Sequence, residues 1–264
     1  MNRGASSYSY LDQRFTCMAH RGGYLTPDDA TRENSIYAFG RAVAAGYRYL
    51  ETDVHATSDG HLIAFHDRVL DRVTPATGVV AELPYAAIRE ARIGGRDQIP
   101  ALDEVLETFP DTRINIDIKA AGAVQLLVDT LRAHRAEDRV CVSSFSALRL
   151  ARFRRLMGDR VATGRSTPAV AWAAYGPPLL TRRLPLPGQV LQVPVTHPIA
   201  GREVRVLTPR LVAAARAQDV RVHVWTINDP QQMHELIDLG VDGLITDRIA
   251  ELRSVAIERG LWNG

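Results

Sequence analysis

Short apolar or strictly alternating runs recur along this chain, and helical patterns fill most of the gaps between them. That alternation constrains the fold more than any other feature. The strand-like runs are Phe15–Ala19, Tyr47–Asp53, Leu62–Phe65, Arg113–Ile118, Arg139–Ser143, Val161–Gly164, Val190–Val193, Arg221–Trp225 and Gly243–Thr246. In Ile114-Asn115-Ile116-Asp117-Ile118-Lys119 apolar and polar residues alternate strictly, so one face of a strand is apolar and the other polar. Helical spacing marks Asn34–Ala45, Pro100–Phe109 and Ala121–His134. Thr208-Pro209 and Asp229-Pro230 each place a capping side chain before a proline suited to a first helical turn. Gly46 and Gly240 stand where helices should stop.

Strand–helix alternation over 264 residues predicts a parallel α/β architecture, either a doubly wound sheet or a closed barrel. Polar residues gather at successive strand ends: His20, Asp53, His66, Lys119, Trp225 and Asp247. In a barrel all those ends meet at one mouth. A doubly wound sheet usually carries a glycine-rich fingerprint after its first strand, and no G-x-G-x-x-G occurs. The expected fold is therefore a TIM (β/α)8-type barrel, one domain over residues 15–260 with a short rim insertion, preceded by a polar tail over residues 1–14. Nine strand candidates exceed the eight a barrel needs, so one is not a barrel stave. The link from Asp53 to Leu62 is too short for a crossover helix and should return as extended chain, turning at Asp59-Gly60. Asp71 to Gln98 should wrap the rim, with Gly94-Gly95 as a flexible point, and the proline-rich Ala174 to Gly188 reads as a long loop.

The net charge is +2 with no long basic stretch, so nucleic acid is not an implied partner. Cys17 and Cys141 lie within apolar runs and read as buried thiols near the barrel wall. The polar N-terminal residues lack the apolar stretch of a signal peptide, and no run reaches the ~18 apolar residues of a membrane span. A soluble cytoplasmic protein without stable membrane insertion is expected.

The chemistry concentrates in a few positions. Glu51 and Asp53 share one strand face, where two like charges need a compensating cation or good hydrogen bonds. Arginines at a rim would satisfy an isolated pair. A hard divalent cation, Ca2+ or Mg2+, also takes oxygen ligands, and Asp117 on a later strand offers a third. Lys119, two residues beyond, is the sole lysine in a chain whose Lys+Arg total is 32. His20 and His66 both follow apolar runs and can meet across a mouth, where a pair of imidazoles can divide general acid and base work. Metal ligation by them is less suited to a hard cation. Arg21 and Lys119 could neutralise the nonbridging oxygens of a phosphorus centre held between them. His55 shares the parity of Glu51 and Asp53 and should approach the edge of the site.

Taken together, these residues resemble the glycerophosphodiester phosphodiesterase family. The matching elements are His20-Arg21-Gly22, Arg32-Glu33-Asn34-Ser35, Glu51 and Asp53, Asp59-Gly60, His66-Asp67, Asp117-Ile118-Lys119, Val224-Trp225-Thr226-Ile227-Asn228 and Asp242-Gly243-Leu244-Ile245-Thr246-Asp247. The resemblance implies a barrel that binds Ca2+ or Mg2+ through Glu51, Asp53 and Asp117, with His20 and His66 as the acid/base pair. Arg21 and Lys119 would surround the phosphate, Glu33 and Asn34 would bind or orient groups at the mouth, and Trp225 would wall the glycerol or leaving group. It further implies hydrolysis of a small glycerophosphodiester to glycerol 3-phosphate and an alcohol. Headgroup cleavage of the lysophospholipase D or sphingomyelinase D kind is the alternative, with Trp172, Tyr175, Leu179 and Leu180 as a greasy approach surface. Two departures stand out: Ser35 replaces the usual threonine, and Asp117 replaces a glutamate, one methylene shorter.

Overall fold

The computed structural model describes residues 3–177, 180–181, 186–199 and 201–263. Within them run the parallel strands β1 (Thr16–Tyr24), β2 (Tyr49–Ala56), β3 (Arg113–Ile118), β4 (Val140–Ser143), β5 (Ala162–Thr163), β6 (Val190–Val193), β7 (Arg221–Val224) and β8 (Gly243–Arg248). They pair in the order β5-β4-β3-β2-β1-β8-β7-β6, and a parallel bridge between Gly164 and Val190 joins the two ends. The sheet is a closed (β/α)8 barrel. Each strand is followed by a helix: α1 (Ile36–Ala44), α2 (Leu102–Thr108), α3 (Ala123–Ala133), α4 (Ala147–Met157), α5 (Thr167–Tyr175), α6 (Pro209–Arg216), α7 (Pro230–Leu239) and α8 (Ile249–Glu258).

Strand parity sorts the side chains. Ile114, Ile116 and Ile118 of β3 are fully buried against the helices, within a layer that includes Leu127 and Leu131 of α3. Each such isoleucine contributes roughly 1.5–3 kcal/mol relative to an exposed position. The opposite parity puts Asn115 and Asp117 inside the barrel. Helix ends follow the capping chemistry, as Thr208 accepts from Leu211 N at 3.2 Å and Asp229 from Gln232 N at 2.9 Å. Gly240 ends α7 in the left-handed region, at φ 85°.

Leu62–Phe65 is the candidate that is not a stave. Leu62–Ala64 folds back antiparallel on β2, pairing Val54 with Ala64 and Ala56 with Leu62, and Gly60 turns the chain at φ 83°. The rim insertion that follows has its own small core of Phe65, Leu70, Val80, Ile88, Ile93 and Ile99. Gly94 and Gly95 both have positive φ and form the tight turn of the hairpin pairing Arg92–Ile93 with Asp97–Gln98. The polar N-terminal segment also differs from a trailing tail. Its short 3-10 turns Ala5–Ser7 and Ser9–Leu11 bury Ala5, Tyr8, Tyr10 and Leu11 against Met18, Tyr49 and Val190 at the barrel floor. Polar residues outnumber the apolar ones spaced between them and mask their pattern. Ala174 and Tyr175 belong to α5, while Leu179 and residues 182–185 of the expected loop lie outside the described residues.

Candidate active site

The register of the sheet assembles the floor of the site. Six pairs join β2 to β3, placing Asp53 directly beside Asp117 and Glu51 beside Asn115. Lys119, just past β3, is anchored by its N–H to Val54 O at 3.1 Å. Its ammonium lies 2.9 Å from Asp53 Oδ1 and 2.7 Å from Asp117 Oδ2, bridging the two strands. Arg21 faces the same carboxylate: its Nε is 3.1 Å from Asp53 Oδ2, an ion-pair distance without hydrogen-bond alignment. Arg21 N donates to Glu51 Oε2 at 3.1 Å. Burial pushes Asp53 up, and Lys119 and Arg21 reverse this, leaving it below the usual carboxylate range. Glu51 is less well compensated. Burial and the Asp53 charge raise it to about 7, although His20, Arg21 and Lys119 pull the other way.

These acidic groups face one cavity but do not close into a metal-holding cluster: none of three or more His, Cys, Asp or Glu side chains occurs among the described residues. Their chemistry nevertheless fits a hard divalent cation. All three donors are oxygen, and Asp117 Oδ1 is buried with no hydrogen-bond partner.

Both histidines are held by aspartates. His20 lies within β1, and its Nδ1 is 2.6 Å from Asp247 Oδ1 on β8. Asp247 is fixed in turn by Asn228 Nδ2, which donates to Oδ2 at 2.8 Å, and by its own N–H donating to Asn228 Oδ1 at 2.9 Å. His66 Nδ1 is 2.5 Å from Asp67 Oδ1. A carboxylate beside Nδ1 selects the tautomer with the proton there, which leaves each Nε2 for chemistry. Burial opposes protonation of His20, but the Asp247 hydrogen bond and the Glu51 charge outweigh it and raise its pKa. His55 is buried beside the site, and its Nε2 contacts His66 O at 3.0 Å.

A cavity of about 320 Å³ at the strand ends is lined by His20, Arg21, Glu51, Asp53, His66, Asp117, Lys119 and Trp225. A larger hollow of about 450 Å³ beside α1 and α2 lies away from these groups, and Asp97 in its wall is already paired with Arg32. Glu33 and Asn34 do not line the cavity at the strand ends. Asn34 sits behind it at φ 58°, accepting from Thr52 Oγ1 at 2.8 Å and donating to Asp53 Oδ2 at 3.2 Å. Glu33 accepts from Arg21 at 3.0 Å. Both hold side chains of the cavity wall, Arg21 and Asp53, from outside it. Gly22, at φ 88°, is required where β1 meets α1, because a Cβ there would fall 2.8 Å from that of Ala38.

Several neighbours carry no strong signal in the sequence. Phe145 meets Trp225 edge-on at 5.9 Å between centroids and lies 5.6 Å from the Lys119 ammonium. Asn228 fixes Asp247, and Arg72 reaches in from the rim insertion. A serine-rich stretch and an exposed arginine look like ordinary surface, whereas Asp247 stands at a strand end and Asn228 closes the Val224-Trp225-Thr226-Ile227-Asn228 element.

Two aspartate-paired histidines, buried carboxylates and two cations thus meet at the C-terminal mouth of a (β/α)8 barrel. The model of the glycerophosphoryl diester phosphodiesterase family matches residues 20–251. A probable glycerophosphodiester phosphodiesterase 2 of Mycobacterium tuberculosis is 40% identical over 253 residues, covering 94% of this chain and 92% of that protein. A glycerophosphodiester phosphodiesterase of Bacillus altitudinis is 31% identical over 231 residues, 81% of this chain and 89% of that one. An Oleispira antarctica phosphodiesterase, solved in complex with the product sn-glycerol-3-phosphate, shares the fold: TM-score 0.77 at 22% identity, over 95% of this chain and 100% of that one. The chain belongs to the glycerophosphoryl diester phosphodiesterase family and is a phosphoric diester hydrolase.

Proposed function

We propose that this protein hydrolyses glycerophosphodiesters to glycerol 3-phosphate and an alcohol, with His20 and His66 as the proton-transfer pair. The observation that carries this reading is the matched pair of His–Asp contacts, 2.6 Å and 2.5 Å, at one cavity that also holds Arg21 and Lys119. The names of the Mycobacterium and Bacillus relatives support the substrate class, as does the product held by the Oleispira enzyme.

In the proposed sequence a glycerol hydroxyl of the substrate attacks phosphorus. One histidine takes the hydroxyl proton as the P–O bond forms, and the other gives a proton to the departing alcohol oxygen. A cyclic glycerophosphate results, and water opens it with the two roles exchanged. Arg21 and Lys119 offset charge on the nonbridging oxygens. Glu51, Asp53 and Asp117 would hold a Ca2+ or Mg2+ ion, whose contribution when bound is to polarise a phosphate oxygen. A cytoplasmic location is part of the proposal, supported by the free buried thiols of Cys17 and Cys141.

A second reading, headgroup cleavage of lysolipids, is favoured by the apolar side of the cavity. Phe145 is 60% and Tyr175 50% exposed there. Leu180 is also exposed, whereas the Trp172 indole N–H is buried and turned inward. Incubating the enzyme with glycerophosphocholine and lysophosphatidylcholine separates the two. Glycerol 3-phosphate release supports the first reading, and lysophosphatidate release without it supports the second. Loss of activity in EDTA with recovery on adding Ca2+ or Mg2+ tests the cation; full activity in EDTA would refute it.

A further inference from the structure

Arg72 lies on the rim insertion, well outside the strand ends, and its side chain is 48% exposed. An arginine so placed is ordinarily a solvated surface group. This one is not free. Its Nε donates to Asp67 Oδ2 at 2.5 Å, while NH1 and NH2 donate to Glu33 Oε2 and Oε1 at 3.0 and 2.6 Å. One guanidinium thus uses its fork on Glu33 and its remaining edge on Asp67, a geometry an ammonium cannot copy.

Each carboxylate leads inward. Asp67 holds His66 Nδ1 at 2.5 Å through the oxygen that Arg72 does not use. Glu33 accepts from Arg21 NH1 at 3.0 Å, and Arg21 faces Asp53. The chain of contacts therefore runs from His66 through Asp67, Arg72 and Glu33 to Arg21. His20 is oriented differently, by Asp247 and Asn228 from the barrel itself. Burial pushes Asp67 and Glu33 up, and the Arg72 hydrogen bonds help to hold both below the usual carboxylate range. Both remain acceptors at neutral pH.

We propose that Arg72 is a positioning residue that fixes the ring of His66 through Asp67, so that the rim insertion supplies half of the proton-transfer geometry while the barrel supplies the other half. Asp67 without Arg72 has a free oxygen and can swing away from Nδ1. The His66 ring then loses both its tautomer preference and its aim. Turnover suffers more than binding, because proton transfer depends on sub-ångström placement.

The inference rests on His66 acting in proton transfer, and a double-mutant cycle separates the two claims. Arg72→Ala should lower kcat about 10- to 100-fold with KM changed less than about threefold. In a His66→Ala background the same substitution should cost several-fold less than in the wild type, the remaining loss passing through Glu33 to Arg21. Guanidinium added to Arg72→Ala should restore part of kcat, and Arg72→Lys should stay impaired. Arg72→Gln offers a second variant should the alanine protein unfold, with thermal unfolding confirming the fold. Wild-type kcat in Arg72→Ala, or an equal loss with and without His66, would overturn the positioning role. If His66→Ala is itself fully active, the histidine reading fails and takes this inference with it.

Discussion

Replacing Lys119 by methionine keeps an unbranched stem as far as Cε and removes the ammonium with its charge. Two carboxylates then lose the cation that bridges them at 2.9 and 2.7 Å. Asp53 and Asp117 side chains are 2% and 9% exposed, and that of Lys119 is 18% exposed. Removing one partner of a buried ion pair costs about 3–5 kcal/mol. Arg21 still faces Asp53, so about 3 kcal/mol, the lower end, is the appropriate magnitude. At about 2–4 °C per kcal/mol for a chain of this size, Tm should fall by about 6–12 °C. Thermal unfolding near pH 7 in EDTA measures this without an added cation standing in for the ammonium.

The pH dependence of that gap sharpens the test. In the wild-type protein burial raises Asp53, but Lys119 and Arg21 hold it below its ordinary range. A depressed carboxylate contributes stability above its unfolded pKa, and loses it as pH falls through the folded value. Without Lys119 burial moves Asp53 upward, and the folded variant takes up a proton on mild acidification. The gap in Tm should therefore narrow from about pH 7 to about pH 5. A shift under about 2 °C, or a gap independent of pH, would refute the role of Lys119 as counter-ion.

Lys119→Arg should lose turnover while keeping its fold, because a planar fork cannot replace a point charge bound between two strands; full activity in that enzyme would show that any cation suffices. Asp247→Asn should lower kcat by roughly 10²-fold or more by releasing His20 Nδ1, with little change in Tm. Steady-state kinetics beside a melting curve would check both. Burial followed by Asp53 raises Glu51 to about 7. The folded state then binds more protons than the unfolded chain between its ordinary value and about 7, and stability in EDTA should fall as pH rises through that window. Glu51→Gln should flatten the slope, and an unchanged slope would contradict the assignment.

The strand–helix rhythm made the barrel legible, because period-two alternation in β3 and the capped starts of α6 and α7 are written locally. The same parity put Glu51, Asp53 and Asp117 on an inward face, and register then set Asp53 beside Asp117. Contacts made through the third dimension were not legible. Nothing near Arg72 announces that it bonds Asp67 and Glu33, since that depends on how the rim insertion folds over the mouth. Asp247 stands 227 positions from His20 and meets it only because barrel closure makes β8 the neighbour of β1. The spacing of Tyr8, Tyr10 and Leu11 among serines likewise hid a segment that seals the barrel floor.

Release of glycerol 3-phosphate from glycerophosphodiesters by the purified protein, alongside His20→Ala and His66→Ala, tests the central claim most directly. The wild-type enzyme should release it from at least one of the choline, ethanolamine, glycerol and inositol esters. Each variant should be slower by roughly 10²–10⁴-fold while melting as the wild type does. Release at the wild-type rate by either variant, or no release from any ester by the wild-type enzyme, would contradict the account.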